Sequence, residues 1–177
     1  MEPEAFEKEL LRRRASLVYG KKADLDKKDA LILHALNKNA RYSLAKLSKM
    51  TGLSRDVIKY RIKKMIDSEV IAGFMPVINP PKMGFPIISY VLFSLYNVNK
   101  RKEEEFMNTL LKDNRVTYLS SSSGKWDYIA YVSAKDTIEL NKIVKEIRHK
   151  FAEVIKDFEI LIVLDEYKYE EYVGLVD

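Results

Sequence analysis

The chain has 177 residues, no cysteine, 47% hydrophobic residues and a formal net charge of +5. This length suits one domain or two small ones, and the missing cysteine excludes a disulfide framework, a thiolate nucleophile and a cysteine-ligated zinc site. No apolar run is long enough to cross a bilayer, and the N-terminus lacks the apolar core of a signal peptide, so we expect a cytoplasmic protein with no membrane partner.

At the N-terminus, residues 1–22 are predicted to be an amphipathic helical extension. Residues 3–18 place an apolar stripe that begins at Phe6 roughly on one helical face, and the helix is expected to end near Gly20. This helix could pack on the body of the protein or on a second subunit. Alternatively, the arginines of residues 12–14 could contact phosphates.

Residues 23–69 predict a helix-turn-helix domain. Asp26 followed by Asp29 resembles an acidic capping box before the first helix. Gly52 is expected to end the second helix, because glycine accepts the left-handed backbone that a sharp turn needs. The predicted caps of the second and third helices are Ser43 and Ser54, and the predicted inward residues are Ile32, Leu33, Leu36, Leu44, Leu47, Met50, Ile58, Ile62, Met65 and Ile66.

Positive charge is concentrated in this domain. Residues 41–66 contain eight Lys or Arg and one acidic residue, hence a local net charge of +7 against +5 for the whole chain. A solvated surface helix usually mixes charges of both signs, whereas a surface of one sign is typical of proteins that bind a polyanion. The expected partner is double-stranded DNA.

The third helix is the candidate recognition helix, because the second helix of a helix-turn-helix pair lies in the major groove. Arg55, Asp56, Lys59 and Tyr60 follow its cap, Ser54, and offer hydrogen bonds to base edges and an aromatic ring for a thymine methyl. Phosphate contacts set the register without reading sequence, and they are expected from Arg41, Ser43, Lys46, Arg61, Lys63 and Lys64.

Residues 70–85 are predicted to be an extended wing and linker, because the prolines of this segment exclude a helix.

Residues 86–177 then predict a ferredoxin-like domain with the order βαββαβ, so the fold class is α+β. The predicted strands are 87–98, 116–121, 126–132 and 158–164, and the predicted helices are 100–112 and 137–151, with Phe106, Met107, Leu110 and Leu111 inward in the first of them.

The first strand of this second domain is apolar on both faces. Ile87, Val91 and Phe93 point one way, and Tyr90 and Leu92 point the other. One layer of helices covers only one of these faces, and the other would be a large exposed apolar patch. We therefore expect a homodimer, although the sequence leaves open which face meets the partner.

The order of these residues resembles the leucine-responsive/asparagine regulator (Lrp/AsnC, feast/famine) family of transcription factors. The matching residues are Leu25-Asp26, Asp29, Ile32-Leu33, Leu36, Ala40-Arg41-Tyr42-Ser43, Leu47, Gly52-Leu53-Ser54, Arg61-Ile62, Ile71-Ala72-Gly73-Phe74 and Asn79-Pro80-Pro81-Lys82-Met83-Gly84. The chain departs from the family at Glu69, where Gly usually ends the recognition helix. The resemblance implies dimers that pair sheet against sheet and often assemble further, into octamers.

The resemblance also implies a small effector, commonly an amino acid, at a Gly-x-x-Asp loop between the second and third strands. Here Gly124 would let a ligand approach the backbone, and Asp127 could accept from an ammonium group. The alternative is a simple strand connection whose Asp caps its own backbone. The predicted effector-binding residues are Ser121, Ser122, Ser123, Gly124, Lys125, Trp126 and Asp127.

No catalytic constellation, metal site or cofactor is predicted. His34 and His149 lack the spacing of zinc ligands, and no glycine-rich phosphate loop is present. We expect a sequence-specific transcriptional regulator whose assembly or DNA affinity responds to an effector. The alternatives are an enzyme of the same fold, like the siroheme decarboxylases, and a metabolite sensor without DNA binding, which the basic helix disfavours.

Overall fold

The computed structural model describes residues 20–168 together with Tyr172 and Gly174. These residues divide into two compact units. The first contains residues 20–76 and the described residues from Tyr167 onward, and the second is Val77–Glu166. The predicted N-terminal amphipathic helix, residues 3–18, lies outside the described residues.

The first unit contains three helices, α1 (Lys27–Lys38), α2 (Leu44–Thr51) and α3 (Arg55–Asp67). The predicted caps are confirmed. Asp26 accepts from the backbone N–H of Asp29 at 3.0 Å, and the Asp29 carboxylate accepts from Asp26 N at 3.1 Å, which completes the capping box. Gly52 ends α2 with a φ of 72°, the left-handed conformation that its sequence position predicted.

The core of the first unit is formed by residues of all three helices. Its fully buried members are Ile32, Ala35, Leu36, Leu47, Ile58 and Met65. The prediction was wrong for Leu44, Met50 and Ile66, which are 37%, 40% and 39% exposed. Ile66, for example, lies roughly 100° around α3 from Met65, so it falls at the margin of the stripe that the other helices cover.

The exit from α3 is a tight turn built on a residue with a side chain. Glu69 has a φ of 59°, and its N–H donates to Ile66 O at 3.0 Å. The chain then turns back so that Ile71 N reaches Met65 O at 3.0 Å. The left-handed region costs energy for residues with a Cβ, so Glu69 carries backbone strain at the position where the family usually has glycine.

Beyond α3 the chain lacks regular structure until Pro80–Met83, which form a short 3-10 helix. The predicted wing therefore has no strand pairing within the part of the chain that the structure describes. The prediction that prolines exclude a helix from residues 70–85 was wrong for this short helix, because Pro80 and Pro81 stand at its first positions, where the missing N–H costs nothing. Asn79 caps the short helix by accepting from Lys82 N at 3.3 Å, and Gly84 ends it with a φ of 91°.

The second unit has the predicted order βαββαβ. Its elements are β1 (Ile87–Leu95), α4 (Lys100–Lys112), β2 (Val116–Ser121), β3 (Tyr128–Ala134), α5 (Thr137–Lys150) and β4 (Ile155–Ile162). The four strands pair antiparallel in the order β2-β3-β1-β4, which is the ferredoxin-like arrangement. The fold class is therefore α+β, as predicted.

Strand ends differ from the prediction where long-range pairing decides them. β4 begins at Ile155, three residues before the predicted start, because Leu95 pairs with Ile155 across a β-bulge. β3 was predicted to begin at residue 126, but it begins at Tyr128. Asp127 lies just before the strand, and its N–H donates to Phe93 O at 2.8 Å. Leu111, predicted to point inward from α4, is 45% exposed.

The helices cover one face of the sheet. Val91 and Phe93 on β1 are fully buried in a cluster with Phe106 and Leu110 of α4 and Ile143 of α5. The cluster also includes aromatic edge-to-face contacts such as Phe93 with Phe106, whose ring centroids are 5.4 Å apart.

The opposite face of the sheet, which we call the open sheet face, contributes no residue to this cluster, although Ile88 and Leu92 on it are only 9% exposed. Tyr90 lies on this face, opposite Tyr131 on β3 and Leu161 on β4. Tyr90, Leu161 and Tyr118 are 37%, 45% and 52% exposed. The structure thus decides the point that the sequence left open, namely which residues of β1 face the helices.

Candidate functional site

The predicted DNA-binding residues lie on the exposed surface of the first unit, with one exception. Ser54 caps α3 by accepting from Val57 N at 3.3 Å, which places the base-reading candidates in the first two turns of this helix. Tyr60 is 69% exposed. The exposed members of the predicted set are Arg41, Ser43, Lys46, Ser54, Arg55, Asp56, Lys59, Tyr60, Lys63 and Lys64.

The exception is Arg61, whose side chain is only 18% exposed. Its Nη1 donates to both carboxylate oxygens of Asp26 and to Oδ1 of Asp29, each at 2.9 Å. These bonds join α3 to the capping box of α1. Arg61 therefore has a structural role, and we no longer propose it as a phosphate contact.

The electrostatics of this cluster follow from its hydrogen bonds. The side-chain bond to Asp29 is the largest cause that raises the pKa of Arg61. The pKa of Asp26 is lowered, chiefly by the backbone N–H of Asp29 and further by the Arg61 side chain. Asp29 is 1% exposed, and its Oδ1 lies 2.9 Å from Nη1 of Arg61.

Sequence reasoning missed this ion-pair cluster. A signal for it was present, because Arg61 occupies a position between Ile58 and Ile62 near the apolar stripe of α3. A cation at such a position needs a buried partner, and the two aspartates at the start of α1 are the acidic residues available there.

The other cations are free to meet a polyanion. Among the described residues, no carboxylate pairs with Arg41, Arg55 or Lys59. Lys63 forms an exposed i,i+4 pair with Asp67 on α3, and its side chain is 74% exposed. Such a pair contributes little to stability, so Lys63 can exchange it for a phosphate.

The turn that presents α3 is held by side chains. Ser48 Oγ donates to Leu53 O at 2.6 Å, and Thr51 Oγ1 donates to Leu47 O at 2.8 Å. Leu53 itself packs against the core of the first unit. The recognition-helix candidates therefore project from a rigid frame rather than from a mobile loop.

The predicted effector-binding residues lie in and beside the β2–β3 loop. Gly124 has a φ of 130°, a conformation that residues with a Cβ rarely adopt. Lys125 Nζ lies 4.4 Å from the centre of the Trp126 ring. Ser121 is the last residue of β2, and Ser122 Oγ donates to Trp126 O at 2.6 Å, which tightens the loop.

Asp127 ties this loop to the end of β1. Its Oδ2 accepts from Leu95 N at 2.7 Å, while its own N–H donates to Phe93 O at 2.8 Å. Its carbonyl accepts from Ser122 N at 2.8 Å. The carboxylate therefore has a structural role, and the structure gives its other oxygen, Oδ1, no hydrogen-bond donor within the described residues.

A second part-buried carboxylate contact lies beside the core of this unit. Tyr128 Oη donates to Glu103 Oε1 at 2.8 Å, and burial together with this carboxylate raises the pKa of Tyr128 to about 12.

In the described residues no group of His, Asp and Glu is arranged to hold a metal ion. None of the helices that the structure describes is long and apolar enough to span a bilayer.

Comparison with known proteins identifies both units. The family model of the AsnC-type helix-turn-helix domain matches residues 25–66, and the model of the Lrp/AsnC ligand binding domain matches residues 89–173. The first match contains α1, α2 and all but the last residue of α3, and the second contains most of the ferredoxin-like unit.

Individual relatives agree with the family models. The chain is 32% identical over 123 residues to a proline dehydrogenase transcriptional activator of Rhizobium radiobacter, a match that covers 70% of this chain and 79% of the relative. It is 31% identical over 122 residues to the HTH-type transcriptional regulator Ptr1 of Methanocaldococcus jannaschii. This match covers 69% of this chain and 80% of that protein.

Solved structures show the same fold. A transcriptional regulator from Neisseria meningitidis in complex with L-Met superposes with a TM-score of 0.77 at 22% identity, over 86% of this chain and 100% of that one. AsnC of E. coli superposes with a TM-score of 0.73 at 24% identity, over 85% of this chain and 99% of that one. The chain therefore belongs to the Lrp/AsnC family of helix-turn-helix transcriptional regulators.

Proposed function

We propose that this protein binds specific sequences of double-stranded DNA through α3 and that a small effector modulates its assembly or its DNA affinity. The observation that carries the proposal is the exposed cationic surface at the start of α3. Arg55, Lys59 and Tyr60 are exposed there on a helix whose cap and turn are fixed by hydrogen bonds.

The proposed contacts divide into two kinds. Arg55, Asp56, Lys59 and Tyr60 read base edges, because residues at the N-terminal end of a recognition helix reach the floor of the major groove. The phosphate contacts flank this group and set the position of the helix on the duplex. They are Arg41, Ser43, Lys46, Lys63 and Lys64, without Arg61.

A homodimer is proposed through the open sheet face. Tyr90, Tyr118 and Leu161 are partly exposed on this face, and contiguous exposed apolar side chains often mark sites of protein association. Dimerisation would place two copies of α3 on one DNA molecule, and each extra set of phosphate contacts strengthens binding. Assembly beyond the dimer, to an octamer, is proposed from the family resemblance.

The effector is proposed to bind beside the β2–β3 loop and to be an amino acid. The Neisseria relative in complex with L-Met supports this class of ligand. Asp127 Oδ1 offers a carboxylate oxygen for an ammonium group, while Oδ2 remains bonded to Leu95 N. The competing explanation is that Asp127 serves only to join β1 to the loop.

Selection of bound fragments from randomised duplex DNA tests the proposal of sequence-specific binding. The wild-type protein is expected to enrich one shared motif, and a Lys59→Ala variant is expected to lose the preference at one or two positions of that motif. Lys46→Ala serves as the matched control, since it removes a phosphate contact and weakens all sequences alike. Equal recovery of all fragments by the wild-type protein would refute sequence-specific binding.

Calorimetry with the twenty amino acids tests the proposed effector site. Asp127→Asn is the decisive variant, because its amide oxygen can still accept from Leu95 N while the negative charge is lost. This variant is expected to fold normally and to bind any effector at least about tenfold more weakly. Unchanged effector binding by Asp127→Asn would remove this carboxylate from the site.

A further inference from the structure

A cleft of about 280 Å³ lies between the C-terminal end of α5 and the start of β4. Its polar lining consists of Arg148 and His149 from α5 together with Lys156 and Asp157 from β4, and Phe158 supplies an aromatic wall. None of these residues belongs to the β2–β3 loop or to the cationic surface of the first unit. The proposed function therefore leaves this cleft unexplained.

Arg148 is held in the cleft by an aromatic ring. Its guanidinium carbon lies 4.3 Å from the centre of the Phe158 ring, and Phe158 packs in turn against the core of the second unit. This contact restrains a side chain that would otherwise sample many rotamers. Within the described residues Arg148 makes no ion pair, so its N–H donors remain available.

The neighbouring cations are also without a carboxylate partner. Over the described chain, neither His149 nor Lys156 forms an ion pair, whereas Lys102 pairs with Glu153 at 2.9 Å. Asp157 is the acidic residue of the lining, and its Oδ1 accepts from the backbone N–H of Phe158 at 2.8 Å. One arginine, one lysine and one aspartate give the lining a net positive charge, before His149 is counted.

A simpler explanation covers only part of this cluster. Basic residues are favoured in the last turn of a helix because they interact with its dipole, which accounts for Arg148 and His149 on α5. Lys156 lies on β4, so it is not one of the basic residues in the last turn of α5. Two elements therefore contribute cations to one concave surface.

We propose that this cleft binds a phosphate-bearing small molecule. The arginine fork matches two phosphate oxygens and Lys156 adds a point charge, so together they complement a compact dianion. The volume of about 280 Å³ lies just below the range for small-molecule sites, about 300 to 1,000 Å³, so the occupant is a phosphate or a small phosphate monoester. This ligand is a different chemical class from the proposed amino-acid effector, and the two sites share no residue.

Titration of the full chain with inorganic phosphate and with adenosine monophosphate, at constant ionic strength, tests the proposal. Both probes are expected to bind saturably at one site per chain. Arg148→Gln and Lys156→Gln are each expected to weaken binding by about tenfold or more, since each removes a charge-assisted contact. Lys142→Gln is the matched control, because Lys142 lies on α5 beside Glu146 and outside the cleft.

Three results would overturn the proposal. The first is titration that does not saturate, and the second is the same loss of affinity in Lys142→Gln as in the cleft variants. The third is phosphate binding that survives both cleft variants while their affinity for duplex DNA falls, which would assign the cleft to the DNA backbone. All three side chains are exposed, so circular dichroism is expected to show wild-type folding for each variant.

Discussion

Replacement of Arg61 by alanine is expected to destabilise the first unit rather than to act directly on DNA binding. The guanidinium holds Asp26 and Asp29 through bonds of 2.9 Å, and these bonds connect α3 to the start of α1. Without Arg61, the buried Asp29 carboxylate loses its countercharge. It keeps the hydrogen bond from Asp26 N at 3.1 Å.

The magnitude follows from how much of the cluster is buried. Breaking a fully buried ion pair by removing one partner costs about 3 to 5 kcal/mol. Here Asp29 is 1% exposed, but the Arg61 side chain is 18% exposed and the Asp26 side chain is 55% exposed, so water replaces part of the interaction. We therefore expect the free energy of unfolding of the first unit to fall by about 2 kcal/mol.

Urea denaturation followed by far-ultraviolet circular dichroism measures this change, with Lys63→Ala as the control. Lys63 also forms an ion pair on α3, but its side chain is 74% exposed, so a loss of at most about 0.5 kcal/mol is expected. A refuting result would be an Arg61→Ala protein of wild-type stability whose DNA affinity falls and whose salt dependence is reduced, because that pattern identifies a phosphate contact.

The same cluster predicts a dependence on pH. The pKa of Asp26 is lowered in the folded protein, so its ionised form contributes stability above the ordinary unfolded value of about 3.9. This contribution is lost as the pH falls through the lower folded pKa. The wild-type free energy of unfolding is therefore expected to decrease below about pH 4, and the decrease is expected to be smaller in Arg61→Ala.

Four further outcomes are expected. Glu69→Gly should raise the free energy of unfolding by about 0.5 to 1 kcal/mol, since glycine relieves the strain of a φ of 59°, and a lower value in urea denaturation would contradict this. Leu161→Asp should convert a dimer to folded monomers in sedimentation, so a dimer that persists would exclude the open sheet face as the interface. Lys59→Ala should cost roughly 1 to 3 kcal/mol on the preferred DNA sequence and less on random DNA in a fluorescence-anisotropy titration, whereas equal losses would show that Lys59 reads no base. Asp127→Ala should lower the free energy of unfolding by about 1.5 kcal/mol in urea denaturation, because Leu95 N loses its acceptor, and an unchanged value would show that this bond is unimportant.

Local chemistry in the sequence determined the helices of the first unit and the order of elements in the second. Asp26, Ser43 and Ser54 have side-chain oxygens that satisfy the free N–H groups of a helix start, and the structure shows each of them as a cap. Gly52 is equally local, since its need for a left-handed backbone depends only on its own missing Cβ. The order βαββαβ was also predictable, because the alternation and the helical spacing of apolar residues depend only on neighbours along the sequence.

Only the tertiary structure decided which side chains meet across elements. Arg61 looked like one more cation of a basic segment, but it lies against Asp26, 35 positions away in sequence. Asp127 bonds to Leu95, 32 positions away, and so has a structural role that loop composition alone leaves open. The faces of β1 were undecided because both are apolar, and only the packing of α4 and α5 distinguishes Val91 from Tyr90. Such contacts depend on how distant segments pack, whereas caps and periodicity depend on neighbours within one or two turns.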